Sequence, residues 1–259
     1  MKLHYQSLGN GQPLIILHGL FGTLENWGSQ IKTLSESFTV IAVDLRNHGR
    51  SPHSDDMNYT VMANDVIELM DELNLASADL MGHSMGGKVA MQLALNNPER
   101  IKRLIVVDIA PVQYARHHDD VLTGLNELDL TSIKSRSEAD TLLANYISNI
   151  GVRAFLLKNL YRNDNKQFTW RMNLPILTDQ YDHISQAPSA AEGASFTHDT
   201  LFIKGADSNY LIADYQAEIM SYFPAASFKI IQGAGHWPHA EKPVAFSRMV
   251  IRFLEESAE

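Results

Sequence analysis

Apolar residues in this chain fall into short unbroken runs, separated by stretches where they recur every three to four positions. Pro13 to Leu17 is such a run, and Phe38 to Val43, Ala78 to Met81 and Ile101 to Asp108 are mostly apolar; all four predict buried strands. Between them, Leu24 to Leu34 and Tyr59 to Leu73 have helical spacing, the second placing Met62, Val66, Leu69 and Leu73 on one face. A further helix is expected from the glycines after Ser84 to Leu95. Leu3 to Leu8 reads as a short strand, and Asn10-Gly11 is a hairpin turn signal leading into the Pro13 run. Strands that alternate with helices in this way predict a mostly parallel sheet with right-handed crossovers. The rhythm stops near Val112. Mixed, mainly helical sequence with no clear strand follows until about Thr197. It resumes with a strand at Thr200 to Lys204, a helix at Ile212 to Tyr222, a strand at Phe228 to Ile231 and a helix at Pro243 to Glu255. The expectation is an α/β core from residues 1–111 and 196–259, interrupted by a helical insert at 112–195 that covers its edge.

Composition narrows the partners. The 259 residues carry a formal net charge of −9, which argues against nucleic acid or an anionic membrane. No cysteine is present, so disulfides, thiolate zinc sites and a cysteine nucleophile are excluded. Met1 to Pro13 lacks the apolar core of a signal peptide, and no apolar run approaches the ~18 residues of a membrane span. A cytoplasmic protein is the expectation.

Gly82-His83-Ser84-Met85-Gly86 fits G-x-S-x-G. It follows a predicted strand and opens a predicted helix, the setting of the nucleophile elbow in α/β hydrolases. Ser84 is therefore the candidate nucleophile. A serine hydroxyl needs a base to remove its proton. His236, in Gly233-Ala234-Gly235-His236-Trp237, stands between the last strand and the last helix, where this fold keeps its histidine. His239, three residues on, reads as a surface or supporting residue. The developing oxyanion needs two backbone donors. Met85 N–H is one, and Leu20 N–H in His18-Gly19-Leu20-Phe21-Gly22 is the other, with Phe21 as its alternative. The acid stays open between two aspartates. The position three residues after Gly205, where the wider fold often places it, is Ser208, and Asp207 lies one residue early. Asp108 ends the strand that follows the elbow helix.

Three of these segments, with the elbow extended to Gly87-Lys88 and the histidine segment extended through Pro238-His239-Ala240-Glu241-Lys242-Pro243, together with Asp44-Leu45-Arg46-Asn47-His48-Gly49-Arg50-Ser51-Pro52, resemble the YbfF-like esterases, which are related to the mitochondrial abhydrolase-domain-11 proteins. The similarity spans nearly the whole chain and is weakest in the insert. It implies an α/β-hydrolase fold with a helical cap, the acid at Asp108, and a serine at Ser208 helping to hold it. It also implies carboxylesterase activity on short- to medium-chain acyl esters, extending to acyl thioesters, with no metal or organic cofactor.

Other segments have plainer readings. Arg46-Asn47-His48 reads chiefly as a brace between loops, and His117-His118-Asp119-Asp120 as a solvated patch, because consecutive residues cannot all face one ion. Trp27, Tyr114, Phe155, Trp170, Tyr181, Tyr210 and Trp237 are candidate pocket aromatics, Trp237 foremost and Tyr210 and Phe21 beside it. The expected partner is a small-molecule ester. The rivals are a thioesterase or carbon–carbon hydrolase with the same triad, and a ligand receptor with little turnover. Oligomeric state is not legible.

Overall fold

The unbroken apolar runs pair with one another because a strand that is apolar on both faces must be covered on both. The computed structural model describes residues 1–256. Its strands, in chain order, are β1 (Tyr5–Leu8), β2 (Gln12–Leu17), β3 (Phe38–Val43), β4 (Ala78–His83), β5 (Ile101–Val107), β6 (Leu160–Arg162), β7 (Phe168–Trp170), β8 (Thr200–Gly205) and β9 (Ala226–Ile231). The helices are α1 (Gly28–Leu34), α2 (Tyr59–Glu72), α3 (Met85–Asn96), α4 (Asp119–Glu127), α5 (Arg136–Leu143), α6 (Ile150–Leu156), α7 (Leu174–Asp179), α8 (Tyr181–Ser185), α9 (Gln216–Tyr222), α10 (Pro238–Glu241) and α11 (Pro243–Glu256). Seven strands form one sheet in the order β1-β3-β2-β4-β5-β8-β9. All its pairings are parallel except β1 with β3.

Alternation along each strand divides the core into two layers. Ile15 and Leu17 face the layer that α2 and α3 cover, whereas Leu14 and Ile16 face the layer under α1 and α11. Among the described residues no helix is long and apolar enough to cross a membrane.

Two expectations need correction. Asn10-Gly11 does not close a hairpin between β1 and β2, because both edges of β2 are taken by β3 and β4 and β1 pairs with β3. The stretch between β5 and β8 also contains strands: β6 and β7 form a separate antiparallel hairpin. Each is three residues long, too short for a period-two pattern to register, and the turn between them places Lys166 at φ 61.

The insert is tied to the core by polar contacts with buried groups. Lys88, on α3, is 2% exposed and is among the most buried large side chains. Its ammonium donates to the carbonyls of Val112 (2.8 Å), where the insert begins, and of Ser185 (3.2 Å) and Gln186 (2.5 Å), near its end. The Tyr114 ring lies 4.7 Å from the same nitrogen. Tyr59 donates to Ile184 O. Asn47 Oδ1 accepts from Asn173 Nδ2 at 3.1 Å, and Asn47 O accepts from Asn173 N at 2.8 Å. Lys88 thus joins the two roots of the insert. Lys88→Ala leaves those carbonyls without their donor and should lower the unfolding free energy by about 3 kcal/mol. Limited proteolysis checks where the loss falls: cleavage should accelerate first within residues 112–195, and an unchanged cleavage pattern would refute the tether.

Candidate active site

Ser84 is the whole of the corner between β4 and α3, at φ 52 and ψ −119. A serine held there carries about 1–3 kcal/mol of strain, so the surroundings must impose it. Its N–H donates to Val107 O on β5 (3.0 Å), and its C=O accepts from Lys88 N (3.1 Å). The flanking glycines are required because α3 presses directly on the sheet. A Cβ on Gly82 would stand 2.1 Å from Gly86 O, and one on Gly86 would stand 2.4 Å from His18 O.

The loops after β4, β5, β8 and β9 bring four side chains together at the carboxyl edge of the sheet. Asp108 follows β5 at φ 52 with its side chain fully buried. Its Oδ1 accepts from Gly205 N at 3.0 Å, and its Oδ2 accepts from Ser208 Oγ. The same Oδ2 lies 2.7 Å from His236 Nδ1. A carboxylate there can only accept, so Nδ1 carries the proton and Nε2 presents a lone pair. That lone pair faces Ser84 Oγ at 3.1 Å. Asp207 is exposed, and its contact in this region is a backbone bond from its N–H to Ala234 O (2.9 Å), so the structure does not bring its carboxylate to His236.

The loop carrying His236 is pinned on three sides. Glu241 Oε2 and Oε1 accept from Gly235 N (2.8 Å) and Trp237 N (3.1 Å). His83 Nε2 lies 2.7 Å from His236 O. Tyr210 stacks on the His236 ring with centroids 4.0 Å apart. Burial pushes the His83 pKa well below its usual value, with His239 and His236 nearby adding to the shift. His83 is therefore a neutral donor to the His236 carbonyl.

The oxyanion side is built by two more buried imidazoles. His18 Nδ1 donates to Gly19 O (2.8 Å), and its Nε2 accepts from Leu45 N (3.0 Å). His48 Nδ1 donates to Arg46 O (2.9 Å), and its Nε2 accepts from Phe21 N (3.1 Å). Burial lowers their pKa values to about 4 and about 3. Phe21 N–H is thereby taken and cannot serve as the alternative oxyanion donor. Leu20 N–H stays without an acceptor among the described residues, and Met85, as the first residue of α3, has no helical acceptor for its own. Arg46 forms a two-pronged pair with Asp65 (2.6 and 2.8 Å), so Arg46, Asn47 and His48 all act as braces.

A cavity of about 800 Å³ opens above Ser84 and His236. Leu20, Phe21, Trp27, Tyr210 and Trp237 line it from the core, and Phe155, Val152 and Val121 from the insert. Tyr114 and Tyr181 border a smaller space of about 40 Å³ beside Ser84 and Lys88, while Trp170 lines neither. Of His117-His118-Asp119-Asp120, His117, Asp119 and Asp120 are exposed and His118 is half-buried; both histidines also border the main cavity, with His117 Nε2 on Tyr210 OH (2.5 Å) and His118 Nδ1 on Tyr181 OH (2.6 Å). His239, stacked on Trp27 at 4.1 Å, is buried, and burial lowers its pKa to about 3. Sequence reasoning missed His83, Glu241 and Asn159, whose Nδ2 donates to Phe21 O (2.7 Å). His83 lies inside the G-x-S-x-G string and Glu241 inside the segment that follows His236, whereas Asn159 carried no local signal.

A strained serine corner at the carboxyl edge of a doubly wound sheet, with a histidine from the last strand leaning over it, defines an α/β hydrolase. A family model described as alpha/beta hydrolase fold matches residues 12–243, and the chain belongs to that family. It is 38% identical to Esterase YbfF of Escherichia coli, over 97% of this chain and 96% of that one. It is 37% identical to the sn-1-specific diacylglycerol lipase ABHD11 of Danio rerio, over 97% of this chain and 81% of that one. Among solved structures, a marine microorganism esterase superposes with a TM-score of 0.94 at 38% identity, covering 97% of this chain and 99% of the other.

The neutral imidazoles set an acid limit on stability. His18, His48 and His239 have pKa values lowered from 6.5 to about 4, 3 and 3, so between pH 6.5 and 4 the unfolded chain binds protons that the folded protein refuses. Stability is then lost as pH falls below 6.5. From pH 7.5 to 5.5 the three should remove about 4 kcal/mol of unfolding free energy. Urea melts at the two values check this, and a flat profile would show that these rings take up protons in the folded state.

Proposed function

We propose that the chain hydrolyses small carboxylic esters with short- to medium-chain acyl groups through an acyl-enzyme on Ser84, and that residues 112–195 act as a cap over that site. One observation carries the reading: a continuous hydrogen-bonded line from Ser84 Oγ through His236 to the buried Asp108, on the floor of a cavity of about 800 Å³. That volume is typical of a small-molecule pocket. The esterase names of the full-length relatives support the same chemistry.

In this mechanism Ser84 Oγ attacks the ester carbonyl carbon while His236 Nε2 takes its proton. The electron pair of the carbonyl moves onto its oxygen, which is received by the N–H groups of Leu20 and Met85. Asp108 keeps the proton on Nδ1 and stabilises the imidazolium. Collapse of the tetrahedral intermediate breaks the carbon–oxygen bond, and His236 protonates the departing alcohol. A water, deprotonated by His236, then attacks the acyl-enzyme, and the acid leaves as Ser84 recovers its proton. Ser208 and Gly205 N–H hold the Asp108 carboxylate so that one oxygen faces the imidazole. Phe21, Tyr210 and Trp237 form the apolar wall against the substrate. No step calls on a metal or an organic cofactor.

Initial rates on p-nitrophenyl esters from acetate to palmitate, with Ser84→Ala as the blank, test the reading. Turnover should peak at short or medium chains and vanish in Ser84→Ala. Activity that persists in the variant, or none above the blank on any ester, would refute it. For the acid, Asp108→Asn should lower kcat by roughly 10⁴-fold, whereas Asp207→Asn should retain the parent rate. The opposite pattern would move the acid to the loop after β8.

A further inference from the structure

We propose that Asn159, in the cap, is a positioning residue for the oxyanion hole: it holds the Phe21 carbonyl so that Leu20 N–H faces the Ser84 reaction centre. The proposal rests on the esterase reading and adds a residue that the triad does not require.

Gly19 to Gly22 is a tight turn closed by Gly22 N on Gly19 O at 2.9 Å, with Phe21 at its third position and at φ 61. A turn of that kind ordinarily has glycine there. A bulky aromatic in the left-handed region is an outlier and persists only where its surroundings over-determine it. Both polar groups of Phe21 are accordingly tied down, from opposite sides. The core takes the N–H through His48 Nε2 at 3.1 Å. The cap takes the C=O through Asn159 Nδ2 at 2.7 Å, across 138 residues of chain. Releasing the second tie lets the Phe21 backbone relax toward negative φ. The turn then changes type and Leu20 N–H leaves its alignment.

Asn159 is buried at the meeting of cap and core, and its amide is only partly paired. It is 1% exposed, and its Nδ2 also donates to Leu156 O at 3.3 Å. Its Oδ1 is buried with no hydrogen-bond partner among the described residues. A buried, unsatisfied amide oxygen costs stability and offsets part of what the two Nδ2 bonds contribute. The shorter of those two bonds goes to the strained residue beside the oxyanion donor. The same contact links cap to catalysis, because the oxyanion loop is fully held only with the cap seated.

The test compares Asn159→Leu and Asn159→Ser with Asn173→Ala, which removes a different cap–core bond, that of Asn173 Nδ2 to Asn47 Oδ1. Each is assayed for kcat and KM on the best p-nitrophenyl ester, for affinity toward a trifluoromethyl ketone that forms a tetrahedral adduct with the serine, and for thermal midpoint. Loss of a whole oxyanion donor lowers kcat about 10²–10³-fold, and a displaced donor keeps part of that, so both Asn159 variants should lose about tenfold in kcat. KM should move by less than about threefold, and ketone affinity should fall in parallel with kcat/KM. Asn173→Ala should lower the thermal midpoint and leave kcat within about twofold. Parent-like kcat in the folded Asn159 variants, or an equal kcat loss in Asn173→Ala, would overturn the proposal. The serine variant keeps the test open should the leucine variant fail to fold. Parent protein that neither turns over esters nor binds the ketone is a separate result, which overturns the esterase reading and this proposal with it.

Discussion

A carboxylate buried to zero exposure must be paired and hydrogen-bonded, and meeting that demand at Asp108 organises this molecule. Its partners come from two places. Gly205 N–H and Ser208 Oγ belong to β8 and its loop, and His236 to the loop after β9, while Asp108 itself ends β5. Satisfying one charge therefore fixes the relative positions of three consecutive strands in the sheet. The backbone is bent to suit, with Asp108 at positive φ and its N–H on Ile203 O. The imidazole that completes the set is then held in the tautomer that leaves Nε2 as an acceptor over Ser84.

The second recurring device is the neutral imidazole used as a strut. A buried, uncharged histidine offers one donor and one acceptor at a fixed separation, so it can join two backbone groups that do not meet directly. His18 joins Gly19 to Leu45, and His48 joins Arg46 to Phe21. A charged ring could not do this, since it would have two donors and no acceptor. Burial that excludes the proton is therefore what makes these side chains useful.

Legibility in the sequence followed the range of the interactions. The buried strands β2 to β5 could be read because both faces are covered and most residues in them are apolar. The elbow was readable because its glycines and its serine stand together within five consecutive residues, between a strand pattern and a helix pattern. Asp108 and Asp207 could not be separated on the residues alone, since the choice depends on where β5 and β8 end relative to one another. Asn159 gave no signal, because an amide that meets a carbonyl 138 residues away looks like any polar residue in a helical stretch, and Glu241 stood in a marked segment without its loop-capping role being legible. The β6–β7 hairpin was lost through brevity, and the pairing of β1 because the nearest strand in sequence had no free edge.

His236 lies 152 residues beyond Ser84 and 128 beyond Asp108, and it follows the last strand of the sheet. During synthesis on a ribosome Ser84, its glycine-lined corner and Asp108 emerge long before His236. An intermediate containing β1 to β5 would present a strained serine with nothing to remove its proton. Reactivity thus begins only when β9 has docked and the final loop has closed over the sheet, so the growing chain passes most of its folding as an inert protein. Non-local assembly of this kind slows folding, and in return it keeps an exposed, half-built site from acting on the acyl compounds around it.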